Sequence, residues 1–246
     1  MFKFTARIAE LNIEMNCNYG FTRDFCRDYL TDDGAPDFSI SVTEENIDRE
    51  IEISPYNPSR PYAESICAYR EVAEKLPYYD RLVFHGAVIS YDNCGYIFTA
   101  PSGTGKTTHI RLWHKYIGGV DVVNGDKPIL HITENKVNAY ATPYAGKEGY
   151  QNHSLIELKG ICLIEQAKEN SIERIEVSDC LSRIMSQIYK PYDAVATVKT
   201  LELLDKLLRN IPVYLLKCNM EEDAVKCSFE ALTQQSYDER KMPDEN

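Results

Sequence analysis

The residues best suited to handling phosphate are concentrated in Ala100-Pro101-Ser102-Gly103-Thr104-Gly105-Lys106-Thr107-Thr108. Such a stretch cradles phosphate because successive backbone N–H groups point into one concavity and a helix N-terminus adds its positive end. Gly103 and Gly105 allow the backbone to come close without a Cβ in the way. Ser102, Thr104 and Thr108 complete the cradle, Lys106 is placed to reach the β- and γ-phosphates of a nucleotide, and the Thr107 hydroxyl is placed to meet Mg²⁺. The usual pattern opens with Gly; here the small residue Ala100 stands in its place.

A second group of candidates follows the next apolar run, Val120-Asp121-Val122-Val123, which ends in Asn124-Gly125-Asp126. An acidic residue just past a hydrophobic strand is where such enzymes hold their metal. Asp126 is therefore read as a metal ligand, and as a candidate base acting through a water, with a plain turn aspartate as the alternative, since Asn-Gly-Asp is also good turn chemistry. His85 is read either as a general base or as a satisfied strand histidine. Lys147, after Gly146, is read either as a clamp on the transferred phosphate or its acceptor or as a solvated loop lysine, and Glu148 as a weaker source of a second carboxylate.

Elements must position these groups. Gly95 to Thr99 is rich in β-branched and aromatic residues and reads as a strand. Thr107 to Ile117 reads as a helix stopped by Gly118-Gly119. Trp113 is expected to anchor that helix in the core, and His109 and His114 to pack or face solvent. Leu82 to Ser90 reads as one strand, turned by Asp92-Asn93-Cys94-Gly95 into an antiparallel hairpin that delivers the chain into the loop. Ile129–Thr133, Val137–Thr142, Ile161–Ile164 and Val213–Cys218 read as further strands, and Cys180–Tyr189, Leu201–Leu208 and Glu221–Leu232 as helices.

Upstream, Phe4 to Ile13 reads as one strand, Tyr19 to Leu30 as a short helix, Phe38 to Thr43 as a half-buried strand and Glu44 to Ile53 as a strand or hairpin partner. Pro55, Pro58 and Pro61 break the chain before an amphipathic helix over Tyr62–Leu76. The expected organisation is an N-terminal β-rich region plus helix over 1–80, a kinase-like domain over 81–235 and a polar, frayed tail over 236–246.

The 246 residues are ample for a packed core. A formal net charge of −11 argues against a general nucleic-acid binder, because phosphate backbones need a basic face. It does not exclude ATP, since a local nest of amides and one lysine overrides a distant field. The eight cysteines form no Cys-x-x-Cys pair and no His lies at zinc-ligand spacing from them. They read as small core residues in a reducing cytosol, so the expected location is cytoplasmic. No apolar run approaches the ~18 residues of a membrane span, and the N-terminus does not read as a signal peptide.

Three elements carry a resemblance to a known family: His85-Gly86, Pro101-Ser102-Gly103-Thr104-Gly105-Lys106-Thr107, and Asn124-Gly125-Asp126, with Thr142-Pro143-Tyr144-Ala145-Gly146-Lys147 as a fainter fourth. The chain resembles the HPr kinase-like branch of P-loop enzymes, related in fold to ATP-dependent phosphoenolpyruvate carboxykinase. The likeness covers residues 82–150, continues more faintly to 218, and is absent from residues 1–60. It implies an α/β fold with a mixed sheet, ATP and Mg²⁺ as cofactors, and phosphoryl transfer to a hydroxyl of a peptide, a protein or a small molecule. The family often carries two adjacent Asp after the metal strand, one for metal and one to accept the hydroxyl proton; here the pair is Gly125-Asp126. The Arg-Gly-Leu-Gly signature of bifunctional HPr kinase/phosphorylase has no counterpart. The chain looks more like small kinase-like proteins found with peptide-modifying enzymes, including lasso-peptide kinases. Rival readings are a nucleotide-binding regulatory or scaffold protein without catalysis, a carboxykinase-like lyase, and a peptide-recognition module in residues 1–60. The acceptor, the base specificity and the oligomeric state are not written in the sequence.

Overall fold

The computed structural model describes residues 2–146, 149–150, 152 and 154–243. The chain divides into two compact units, Met1–Tyr79 with Lys190–Thr200, and Asp80–Tyr189 with Leu201–Asn246.

The first unit opens with β1 (Phe2–Ile8) and β2 (Leu11–Cys17), an antiparallel pair in which Ile8 faces Leu11 across a two-residue turn. The turn residues Ala9 and Glu10 have φ of +50° and +64°, the twist that suits a tight hairpin. Neither is the Gly or Asn that usually marks such a turn, which is why 4–13 reads as one strand in the sequence and is in fact two. β2 buries Leu11, Ile13, Met15 and Cys17 at period two. α1 (Gly20–Phe25) follows, and β3 (Phe38–Ser41) joins β2 in parallel.

The stretch expected to be a strand at 44–53 is helix α2 (Glu44–Ile53). Its start is fixed by a reciprocal capping box: Thr43 Oγ1 accepts from the Asn46 amide at 3.2 Å, and Asn46 Oδ1 accepts from the Thr43 amide at 3.1 Å. The helical pattern was hidden because its buried side holds Ile47 and Glu50, one apolar and one charged. The Glu50 carboxylate accepts from Arg70 Nε and Nη2 at 3.0 and 3.2 Å. Arg70 belongs to α3 (Arg60–Lys75), where Pro61 sits in the first turn and removes no intrahelical bond. Glu64 of α3 is fully buried and accepts from the backbone amides of Asn18 and Tyr19, at the start of α1. With α1, α2, α3 and the start of a later helix (residues 194–200) beside β1, β2 and β3, this N-terminal unit is mixed rather than β-rich.

The second unit contains β4 (Arg81–Val83), β5 (Ala87–Tyr91), β6 (Cys94–Thr99), α4 (Lys106–Tyr116), β7 (Asp121–Asn124), β8 (Ile129–Ile132), β9 (Val137–Tyr140) and β10 (Leu155–Gln166). β11 (Ser171–Ile175), α5 (Val177–Met185), the later part of α6 (Ala194–Asn210), β12 (Val213–Cys218) and α7 (Glu222–Thr233) complete it. β10 is its spine. Leu155–Glu157 pair antiparallel with β9; beyond an irregularity between Leu158 and Gly160, the strand runs parallel to β6 and then β12. The sheet runs β4-β8-β9-β10-β6-β5-β7, with β12 against β10 and β11 against β12.

Side chains alternate between two faces of this sheet. Ile97, Ile161 and Leu163 join the core under α5 and α6, with Ile184, Leu204 and Leu207. Tyr96, Phe98, Cys162 and Ile164 join the core under α4 and α7, with Ile110, Trp113 and Phe229. The unit is therefore a mixed sheet with helices on both faces. Trp113 is fully buried, as its expected anchoring role requires.

Two expectations for this unit change. Leu82–Ser90 is not one strand: β4 and β5 part at Phe84-His85-Gly86, where the His85 amide donates to Gln187 O at 2.6 Å and the Gly86 amide to Asp126 O at 2.9 Å. The tail is docked through Met242, not frayed, because Tyr237 is buried beside Phe229 and the Met242 amide donates to Tyr116 O at 2.8 Å. The β5–β6 hairpin forms as read, with φ of +50° and +58° at Asp92 and Asn93.

Candidate functional site

β6 ends at Thr99 beside Leu163 of β10, and the chain passes through residues 100–105 into α4. Ala100 is buried in the core and lies outside the positive-φ set, so this position has no conformational need for the glycine of the usual pattern. Gly103 and Gly105 have φ of +81° and +119°, conformations that side chains rarely adopt. Gly105 is the N-cap of α4 and supplies no side-chain cap, so the first helical amides, Lys106 to Thr108, are left without an intrahelical partner. The first internal bond of the helix runs from the His109 amide to Gly105 O at 2.9 Å.

Ser102 and Gly103 are exposed at the tip of the loop, and Thr104, Thr107 and Thr108 are partly buried. Three bonds shape the turn. Thr104 Oγ1 donates to Pro101 O at 2.9 Å, Gln166 Nε2 donates to Thr104 O at 3.0 Å, and Lys106 Nζ folds back to donate to Ala100 O at 2.7 Å. Burial pulls the Lys106 ammonium below its usual pKa, and the charge of Asp126 partly opposes that pull. The two residues, twenty apart in sequence, are thus electrostatically coupled.

Asp126 lies in an Asx turn after β7: the Asp126 and Lys127 amides donate to Asn124 Oδ1 at 3.0 and 2.8 Å. Its Oδ1 is 3.4 Å from His85 Nε2, and its Oδ2 accepts from Lys127 Nζ at 2.5 Å. Burial pushes the Asp126 pKa up, but hydrogen bonds from His85 and Lys127 outweigh it and hold the carboxyl at about 2. An ionised carboxylate beside one ammonium and one imidazole can hold a cation; at so low a pKa it is a poor proton acceptor. His85 is at the break between β4 and β5, with Nδ1 3.0 Å from Gln187 Oε1. Thr99 Oγ1, at the end of β6, donates to His85 O at 2.7 Å, so the loop strand and the histidine are joined directly.

Position 125 has no room for a side chain. A Cβ on Gly125 would lie 2.8 Å from Ala145 O and 3.4 Å from Tyr150 Cβ, and the Gly125 amide donates to Tyr150 O at 2.9 Å. The segment after β9 packs onto Gly125. It is fastened by Asn124 Nδ2 donating to Thr142 O at 3.2 Å, Thr142 Oγ1 donating to Lys127 O at 2.8 Å, and the Lys127 amide donating to Tyr144 O at 3.1 Å. Lys147 and Glu148 lie outside the described residues.

His85, Asp126, Lys106 and the loop thus gather at the end of β6. The sequence gives no warning of four further neighbours. Lys127 is masked by its adjacency to Asp126. Gln166, Arg183 and Gln187 come from the end of β10 and the region of α5, sixty to eighty residues downstream of the loop, with no local motif. Arg183 pairs with Glu165 at 2.9 Å, and both line an open depression of 510 Å³ with Pro101, Ser102, Gly103, Thr104, Ile164 and Gln166.

No protein-family model matches the chain, and no curated protein does. Among solved structures, the Hpr(Ser) kinase/phosphatase from Coxiella burnetii is similar, with a TM-score of 0.37 and 13% sequence identity over 62% of this chain and 88% of that one. This is a weak fold relation, and no residue role is transferred on it.

Proposed function

We propose that the chain is an ATP- and Mg²⁺-dependent phosphotransferase acting on a hydroxyl, that of Ser or Thr in a peptide or protein or of a small hydroxylated molecule. The observation that carries this reading is the uncapped start of α4, preceded by two left-handed glycines and carrying Lys106 at its first position. Unpaired helix amides with a lysine attract a polyphosphate. The donor set also fits magnesium. No group of three or more His, Cys, Asp or Glu placed to hold a metal occurs among the described residues. Mg²⁺ binds through one or two carboxylates plus phosphate oxygens and water, rather than in an all-protein cage. Thr107 and Asp126 would be its protein ligands. When bound, the metal supplies neutralisation of the phosphate charge.

In this reading the loop amides and Lys106 hold the β- and γ-phosphates. The acceptor oxygen forms its bond to the γ-phosphorus as the bond from that phosphorus to the β-bridging oxygen breaks, and ADP departs. The hydroxyl proton passes to the His85 imidazole, since Asp126 is too weak a base. Positioning and charge account for most of the rate in such transfers. The depression bounded by the loop and Arg183 gives the acceptor a place to approach.

A second reading is a nucleotide-binding regulatory protein without catalysis. It is favoured by one feature, the packing of Ala145 O over Gly125 where a second carboxylate would stand. The two readings share nucleotide binding and part at turnover. Lys106→Ala is expected to weaken ATP binding at least tenfold in calorimetry while leaving the circular dichroism unchanged. Equal affinity in both proteins contradicts either reading.

A further inference from the structure

Asn124 closes β7 and is fully buried, and its side-chain amide uses every hydrogen-bonding group it has. Oδ1 accepts from the Asp126 and Lys127 amides at 3.0 and 2.8 Å, and Nδ2 donates to Thr142 O and to Thr142 Oγ1, both at 3.2 Å. The partners fix its orientation. Main-chain N–H groups only donate and a main-chain carbonyl only accepts, so a flipped amide would lose bonds on both sides. Thr142 is fully buried as well. Its Oγ1 meets two donors, Asn124 Nδ2 and the Tyr144 amide, so its own proton goes to the one acceptor, Lys127 O at 2.8 Å.

This buried node ties the turn that carries Asp126 to residues 142–146. The two segments meet through bare main chain. A Cβ on Gly125 would lie 2.8 Å from Ala145 O, and a Cβ on Gly146 would lie 3.1 Å from Asp126 Cβ and 3.6 Å from its carboxyl carbon. Gly146 also has φ of +78°, so both its conformation and its surroundings call for glycine. The Asx turn fixes only the main chain of Asp126. Its side chain is bounded on one side by the Gly146 backbone and faces His85 Nε2 at 3.4 Å and Lys127 Nζ at 2.5 Å.

We propose that Thr142 and Gly146 are positioning residues for Asp126: Thr142, locked to Asn124, seats the Gly146 main chain against Asp126 and so aims the carboxylate. A fully satisfied buried network holds one arrangement, because any shift leaves a polar group unpaired. Groups that orient a metal ligand without touching the metal are worth ~10–100-fold in metal affinity or activity when lost. The metal that Asp126 would meet belongs to the phosphotransferase reading; the aim of its side chain does not depend on it.

The test joins a metal-free measurement to a metal titration, both on the full chain. Metal-free crystal structures of wild type, Thr142→Val, Thr142→Ser and Gly146→Ala show where the carboxylate points. Wild type and Thr142→Ser should hold it toward His85, and Thr142→Val and Gly146→Ala should show it swung away. Mn²⁺, a paramagnetic substitute for Mg²⁺, is then titrated into each one-to-one complex with ATP, with free ion read by electron paramagnetic resonance. Thr142→Val and Gly146→Ala should bind Mn²⁺ about tenfold more weakly, Thr142→Ser should match wild type, and ATP affinity in EDTA should be unchanged throughout. A carboxylate that stays in place in Thr142→Val overturns the proposal, as does equal loss of ATP and Mn²⁺ affinity, the mark of general damage. Should the valine variant not fold, the exposed Gly146 decides: an unmoved carboxylate in Gly146→Ala overturns the proposal. A wild-type ATP complex that binds no Mn²⁺ beyond ATP alone would sink the phosphotransferase reading and leave the metal-free structures to decide the positioning.

Discussion

In the proposed reading Asp126 is the one carboxylate assigned to the metal. Its pKa of about 2 keeps it ionised throughout the neutral range. Because the folded value lies below the usual carboxylate value, the stabilisation it gives is fully present above pH ~4 and is lost as pH falls through about 2. Neutral-range changes in activity should therefore not trace to its protonation. Gly125 makes the complementary point. Gly125→Asp, which sets a second carboxylate beside Asp126, should not raise turnover, because its Cβ meets Ala145 O at 2.8 Å. We expect it to lower stability by ~1–3 kcal/mol in urea unfolding, through displacement of the segment packed above it. A stable variant with faster turnover would contradict that packing. At this scale the sequence is informative where the residues are contiguous. The loop and Asn124-Gly125-Asp126 could be read because each is a short run with its own chemistry. Gln187 and Gln166 could not, because single glutamines on distant elements acquire meaning only from what the fold sets beside them.

Among elements, α4 joins the candidate site to the core, and its buried face has a pH dependence of its own. His109 is fully enclosed against Phe98, with Nε2 2.9 Å from Ser228 Oγ and Trp113 Nε1 donating to the same hydroxyl at 2.8 Å. Its Nδ1 has no partner, and burial pushes its pKa down to about 3. The unfolded chain binds the proton near pH ~6.5. The stabilisation from keeping this ring neutral is thus complete above that value and is lost as pH falls toward about 3, at ~1.4 kcal/mol per pH unit from this group. Urea midpoints at pH 7.5 and 5.0 should differ accordingly in wild type and much less in His109→Phe. An equal difference in the two proteins would mean that other groups set the acid limb. Elements that follow period two or 3.6, such as β12, α3 and α7, were legible. The misreadings have physical causes. α2 uses the buried Glu50, paired with a partly exposed Arg70, where an apolar residue would have marked its inner face. The β1–β2 turn uses Ala9 and Glu10 in left-handed conformations without glycine. The 82–90 run parts at His85 because its amides are taken by Gln187 and Asp126, neither of which is local.

At the scale of the molecule, the second unit holds every described group assigned to the site, and the first unit is discontinuous in sequence. A truncation at Tyr79 strands Lys190–Thr200, which belong with it. Within that unit the Tyr192 amide donates to Glu74 and the Tyr78 hydroxyl to Asp193. The rival in which residues 1–60 alone recognise a peptide is therefore better tested by surface substitution than by deletion. All eight cysteines are unpaired and six are buried. Burial pushes the Cys67 and Cys218 thiols up to about 11 and those of Cys17 and Cys26 to about 12. Native protein should react quickly with a thiol reagent at no more than the two partly exposed positions, Cys94 and Cys227, and at all eight in denaturant. Two or more bridges in non-reducing mass spectrometry would contradict this. Among the described residues no helix is long and apolar enough to cross a membrane.

The most direct test of the central claim is ATP turnover with Mg²⁺ and a panel of hydroxylated peptides and small molecules, measured for wild type and Asp126→Asn together. Asparagine keeps the shape of the side chain and removes the charge that Mg²⁺ would meet. The loop amides and Lys106 remain, so ATP affinity should fall modestly. Transfer should fall ~100-fold or more, a loss of ~2.7 kcal/mol of transition-state stabilisation. The account predicts measurable turnover in wild type and that large selective loss in the variant. Turnover indistinguishable between the two, or none above background in wild type across the panel, would contradict it.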